Sequence, residues 1–229
     1  VRQGEVHALL GEIGAGKSTL MKILGGIYHR DSGEILIDGT PRALAGVAEA
    51  TAAGIRIIHQ EIVLVPGRTV ADNIFLGREI TDKLGFVDGK KMRAEAQKII
   101  DGFGLNISAG TMVGKLTIGM QQLVEIMKAV STDAKIIAMD EPTSSLSKHE
   151  VQILFELIKK LKAKGVSIIY ISHKIDELYQ IADRITVLRD GMSIKTVPMQ
   201  EINSDELVSM MVGRVIDQYY IKTENKILG

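Results

Sequence analysis

The stretch Gly11-Glu12-Ile13-Gly14-Ala15-Gly16-Lys17-Ser18-Thr19 fits the pattern G-x-x-x-x-G-K-[ST]. It lies between Glu5–Leu10, a β-type run, and Lys17–Gly25, a helical one. Strand, glycine loop and helix in that order make a cradle for phosphate. Glycines at 11, 14 and 16 let the backbone wrap around anionic oxygens with its N–H groups turned inward. The helix adds about half a positive charge at its N-terminus. Lys17 is expected to bridge β- and γ-phosphates and Ser18 to offer its hydroxyl to Mg²⁺, with Ala15 and Thr19 completing the loop. The bland reading of the same residues is a tight strand-to-helix turn with an incidental Lys-Ser pair.

Outward from this loop, short β-type runs alternate with longer helical patterns. Ile55–Ile58, Lys135–Met139, Val166–Ile171 and Arg184–Leu188 read as strands, and their near-continuous apolar character suits a sheet covered on both faces. Glu34–Ile37, closed by Asp38-Gly39, reads as half of an antiparallel hairpin. The expected fold class is therefore α/β: a P-loop NTPase with a mainly parallel, RecA-like sheet flanked by helices. From Thr69 to Val130 helical periods take over. Thr69-Val-Ala-Asp72 resembles a capping box, Lys90–Gly102 is amphipathic, and Leu123, Ile126, Met127 and Val130 mark one stripe of a helix over 119–131. Ser147-Lys-His-Glu150 caps a further helix, which Gly165 ends.

With 229 residues, the chain is long enough to bury a core without disulfides or metal, and it has no cysteine. Its 28 basic and 28 acidic residues balance, so charge gives no argument for a nucleic-acid partner. No apolar run approaches the roughly 18 residues that cross a bilayer.

Two further segments carry chemistry. Ile136-Ile-Ala-Met-Asp140-Glu141 is an apolar strand ending in two carboxylates. Beside a phosphate loop, Asp140 is expected to hold the Mg²⁺ shell and Glu141 to polarise the attacking water. Asp-Glu before Pro142 is also what an ordinary solvated turn looks like. Leu116-Thr-Ile-Gly-Met-Gln-Gln122 opens the 119–131 helix with a hydroxyl, a glycine and free N–H groups, a second anion-binding end; Thr117 equally suits a plain N-cap.

Together with Ser172-His173, these motifs resemble the nucleotide-binding domain of an ABC transporter. Ile57-Ile-His-Gln-Glu61, Asn73-Ile-Phe-Leu-Gly-Arg78, Thr117-Ile-Gly and Tyr170-Ile-Ser-His-Lys174 are similar to the ATP-binding subunits of ribose, xylose and galactose importers. The resemblance runs from about Val1 to Gly213. It implies one nucleotide-binding domain over 1–213, with a helical subdomain at about 69–131 and an incomplete antiparallel β-subdomain; 214–229 is expected to be a linker or tail. It implies ATP and Mg²⁺ as ligands. Gln60 matches the Q-loop residue that contacts metal and water, and His173 the switch histidine that senses the γ-phosphate. Leu116, Thr117, Ile118, Gly119, Met120 and Gln121 match the signature loop, which faces the partner's ATP. Ser144, Ser145, Leu146 and Ser147 match the D-loop; Ser147 has an equally good explanation as a helix cap. Partners implied are a second nucleotide-binding domain, met head to tail, transmembrane permease subunits, and indirectly a sugar-binding protein. The implied location is the cytoplasmic face of the membrane, held peripherally.

The match is imperfect. Ile13 stands where the sugar-importer pattern usually has Asn, Thr117 replaces Ser, and Met120 replaces Gly or Gln and brings no hydrogen bond of its own. The family's adenine-stacking aromatic lies some two dozen residues before the loop, whereas only sixteen residues precede Lys17, so the sequence is expected to be a fragment. Other readings are a P-loop GTPase or kinase, a non-catalytic nucleotide-binding domain, and a soluble ABC ATPase unconnected to transport. A GTPase would want Asn-Lys-x-Asp, and Asn225-Lys226 is followed by Ile-Leu.

Overall fold

The computed structural model describes residues 1–213. The expected linker at 214–229 lies outside them. In chain order the elements are β1 (Val6–Gly11), α1 (Lys17–Leu24), β2 (Ile35–Ile37), β3 (Thr40–Arg42), α2 (Val47–Ala52), β4 (Ile55–Ile58), α3 (Val70–Ile74), α4 (Gly89–Gly102) and α5 (Ile118–Val130). There follow β5 (Ile136–Asp140), α6 (Lys148–Ala163), β6 (Ser167–Ile171), α7 (Ile175–Ile181), β7 (Arg184–Arg189), β8 (Met192–Pro198) and α8 (Ser204–Val212).

Six strands form one sheet in the order β4-β5-β6-β1-β7-β8, and all neighbours pair parallel except β7 with β8. Successive side chains on a strand point to opposite faces, and both faces here are covered. Val6, Ala8 and Leu10 join Ile137, Met139, Ile168 and Tyr170 on the face that meets α5 and α6. Leu9, Ala138 and Ile171 point the other way, onto Ala15 and Met21 of the phosphate loop and α1. This two-sided cover is why these strands read as unbroken apolar runs. His7, the polar exception in β1, sits between Glu5 and Thr186 at 2.7 Å from each, so its burial is compensated.

The local signals behave as their chemistry demands. Thr69 and Asp72 complete a capping box on α3, Ser147 and Glu150 another on α6, and Asp88 caps α4. The Asp38-Gly39 turn closes β2 onto β3, with both residues at positive φ, as a tight hairpin needs. Those two strands make a sheet of their own. One strand escaped the sequence reading: β8 folds back on β7 through Asp190-Gly191, the same turn dipeptide, again at positive φ. The turn dipeptide was available as a signal. It is weaker than the others because β8 is an edge strand, mostly exposed, and buries little apolar surface.

Candidate functional site

In a parallel sheet every strand delivers its following loop to the same edge. Strands β4, β5, β6 and β1 are neighbours in that order, so their loops meet. Gln60 follows β4, Asp140 ends β5 with Glu141 next to it, His173 follows β6, and the phosphate loop follows β1. These residues line a groove of about 930 Å³ with Glu12, Ile13, Thr19 and Met211. Gly11, Gly14, Gly16, Lys17 and Ser18 line it too, while Ala15 is buried beneath the loop.

The loop's glycines are required for different reasons. Gly14 and Gly16 stand at φ 87° and 96°, where a side chain is strained, and Gly16 is the N-cap of α1. Gly11 has no such φ. A Cβ there would collide with the Leu188 carbonyl oxygen and come within 3.0 Å of the Ala15 methyl. Its reason is the close approach of β7, which spacing alone does not report.

The Lys17 ammonium curls back to the carbonyls of Gly11 at 2.7 Å and Glu12 at 2.9 Å. Burial holds it below its ordinary value, and the nearby charges of Asp140 and Glu141 restore only part of that loss. Ser18 Oγ donates to Asp140 Oδ2 at 3.3 Å. Burial pushes the Asp140 carboxyl up, against the Ser18 hydrogen bond, and the charge of Glu141 pushes the same way. Glu141 Oε1 meets His173 Nδ1 at 3.0 Å. Its backbone lies at φ 47°, in the left-handed region, while its N–H donates to Ile171 O at 3.0 Å. Among the described residues the other non-glycine ones at positive φ, Asp38 and Asp190, sit in hairpin turns. A conformation costing about 1–3 kcal/mol, held at the end of a central strand and aiming a carboxylate at a histidine, marks a site where aim outweighs strain.

The residues present suit a Mg²⁺ ion. Ser18, Asp140 and Gln60 are oxygen donors bordering one groove, the chemistry a hard cation takes. Among the described residues no three of His, Cys, Asp and Glu gather into a cage. A few protein oxygens shared with phosphate oxygens is the usual way Mg²⁺ is held.

Residues 116–121 do not line this groove. Thr117 caps α5, accepting from the Met120 N–H at 3.3 Å, and Gln121 Nε2 donates to Leu116 O at 3.0 Å. Met120 is half-buried and packs against the core, and Ile118 is exposed. Gly119 abuts Glu150, whose carboxylate also accepts from the Ser147 N–H at 2.7 Å. A Cβ at Gly119 would lie 2.6 Å from Glu150 Oε2 and 2.9 Å from its carboxyl carbon. Gly119→Ala is therefore expected to push that carboxylate off the Ser147 N–H and cost about 0.5–2 kcal/mol, the worth of a lost capping bond, in a urea titration. In Glu150→Ala the same substitution should cost almost nothing further; equal penalties in both backgrounds would place the strain elsewhere. Ser147 Oγ accepts from the Glu150 N–H at 3.3 Å, as a cap, while Ser144 and Ser145 stay exposed and Leu146 is half-buried.

Met211, from α8, is the groove residue that sequence reasoning missed. Asn203 and Glu206 form a capping box that announces α8. Nothing local announces where that helix docks.

The sheet, the glycine loop and the two carboxylates at the end of β5 define a P-loop nucleotide-binding fold. A family model described as ABC transporter matches residues 1–144, and the chain belongs to that family. It is 53% identical over 218 residues to a putative ribose/galactose/methyl galactoside import ATP-binding protein of Burkholderia cenocepacia, covering 95% of this chain and 43% of the relative. It is 47% identical to a ribose import ATP-binding protein of Bacillus cereus, covering 99% of this chain and 46% of that one. The chain thus spans less than half the length of these curated relatives. Among solved structures it resembles an ATP-binding cassette of an ABC transporter in its ADP conformation, with TM-score 0.78, 26% identity and coverage of 93% and 89% of the two chains. It also resembles a dimeric ATP-binding cassette with ADP and phosphate, with TM-score 0.75, 26% identity and 87% coverage of each chain.

Proposed function

We propose that this chain is the ATP-binding and ATP-hydrolysing cassette of a sugar importer, one domain over 1–213 with a helical subdomain at about 69–131. The observation that carries the reading is the convergence of Lys17, Ser18, Gln60, Asp140, Glu141 and His173 on one groove, with Glu141 against His173. The phosphate loop and Lys17 take the phosphates of ATP. Ser18 and Asp140 would hold Mg²⁺, with Gln60 beside them, and bound Mg²⁺ neutralises charge on the phosphates. Glu141 takes a proton from the attacking water, and His173 keeps Glu141 aimed and meets the γ-phosphate.

Residues 116–121 lie outside the groove, which supports a head-to-tail pair in which each signature loop closes on the other domain's ATP. The 144–147 loop then runs along that interface. Among the described residues no helix is long and apolar enough to cross a membrane. A cassette of this kind works against permease subunits at the cytoplasmic face, fed by a sugar-binding protein. The names of the relatives support a pentose or hexose as cargo.

In the full-length polypeptide, phosphate release from ATP is expected to require Mg²⁺. It should rise when permease and binding protein are supplied with one of ribose, xylose or galactose. Failure of a folded, complete assembly to release phosphate with any of these sugars would overturn the reading.

A further inference from the structure

The loop after Glu141 is tied down by a carboxylate from a different element. Glu177, in α7, is 9% exposed. Its Oε2 accepts from the Thr143 hydroxyl at 2.7 Å and from the Tyr170 hydroxyl at 3.3 Å. Its Oε1 faces the Lys174 ammonium at 3.1 Å. Lys174 in turn donates to the Thr143 carbonyl at 3.3 Å and hydroxyl at 3.4 Å. Thr143 is 2% exposed and Tyr170 wholly buried. A carboxylate taken this far from water is tolerated only when donors surround it. Here the donors come from β6, from the loop behind Glu141, and from the residue next to His173. Glu177 therefore binds together, from behind, the same two loops that Glu141 and His173 join in the groove.

We propose that Glu177 is a positioning residue: it fixes the loop 141–143 against the loop 172–174 and so sets the Glu141–His173 geometry. Its effect on turnover rests on the hydrolytic reading above; its effect on the loops does not. Misplacing a catalytic group by about 1 Å can cost roughly a hundredfold in rate. Glu177→Gln keeps the shape and replaces one acceptor oxygen with an NH₂ donor, which must then face a hydroxyl or the ammonium.

The test uses the full-length polypeptide with Glu177→Gln, Thr143→Val and Thr143→Ser. It reads kcat, KM for ATP, and hydrogen exchange at the Ser144 and Leu146 amides, which donate to Glu141 O at 3.2 Å and Thr143 O at 3.3 Å. Glu177→Gln is expected to lower kcat about 10- to 100-fold with KM changed by less than about twofold. Exchange at the two loop amides should speed up while β1 and β5 keep their protection. Thr143→Val should do the same, and Thr143→Ser, which keeps the hydroxyl, should match the parent. The double variant Glu177→Gln/Thr143→Val should be no worse than the more affected single one, because the groups act as a unit. Unchanged loop exchange in Glu177→Gln would overturn the proposal, and so would loss of protection throughout β1 and β5. If the parent polypeptide releases no phosphate, the hydrolytic reading alone fails, and loop exchange still decides for or against Glu177.

Discussion

Glu141→Gln is expected to bind Mg-ATP as tightly as the parent and to lose about 10²- to 10⁴-fold in turnover, the usual contribution of a general base. Glutamine fills the same space and can keep a hydrogen bond to His173 Nδ1, now 3.0 Å from Glu141 Oε1. It cannot accept a proton. The backbone at φ 47° is no more strained with an amide than with an acid, and the N–H bond to Ile171 O is untouched. Binding and fold should therefore survive while chemistry stops. Phosphate release under single-turnover conditions, beside ATP affinity by calorimetry, separates the two. Parent-level release in the variant would remove Glu141 from the role of base.

Lys17→Ala is expected to weaken ATP binding about 10- to 100-fold, the worth of roughly 1.5–3 kcal/mol for hydrogen bonds to a charged group. AMP binding should scarcely change. The contrast follows from reach: in the proposed role the ammonium serves the outer phosphates, and AMP has none. In this structure the ammonium is already held at the groove by the carbonyls of Gly11 and Glu12. The side chain is half-buried and its ammonium borders the groove, where an arriving phosphate can reach it. Arginine is not a conservative replacement, since its planar fork differs in length and shape from a point charge between two carbonyls. Calorimetric titrations with ATP and AMP check the prediction, and equal losses for both would shift Lys17 from phosphate binding to loop stability.

Much of the fold was legible because its signals are short-range. The capping boxes Thr69–Asp72 and Ser147–Glu150 lie within one helical turn, and the structure closes both. The strand runs were visible because two covered faces demand apolar residues at every position. Helix α8 and strand β8 carried comparable local marks, Asn203–Glu206 and Asp190-Gly191. What remained hidden concerned where an element lands. By residue type Met120 only removes a hydrogen-bonding group from the 116–121 loop, whereas in the fold its side chain packs against the core. Glu177 belongs to no motif, yet it holds Thr143, Tyr170 and Lys174 together.

That residues 11–17 join a strand to a helix through a glycine loop, and that Asp140 ends an apolar strand, was determined by sequence alone, because each is a local arrangement. Their meeting with Gln60 and His173 was decided by the strand order β4-β5-β6-β1, which no spacing along the chain contains. The tertiary structure also supplied the reason for Gly11, where the Leu188 carbonyl occupies the space a side chain would need, and it laid the Glu150 carboxylate against Gly119. Local pattern reports the hydrogen bonds that a segment can satisfy within itself. Close packing between segments, with no room for an added methyl, is set by residues distant in sequence.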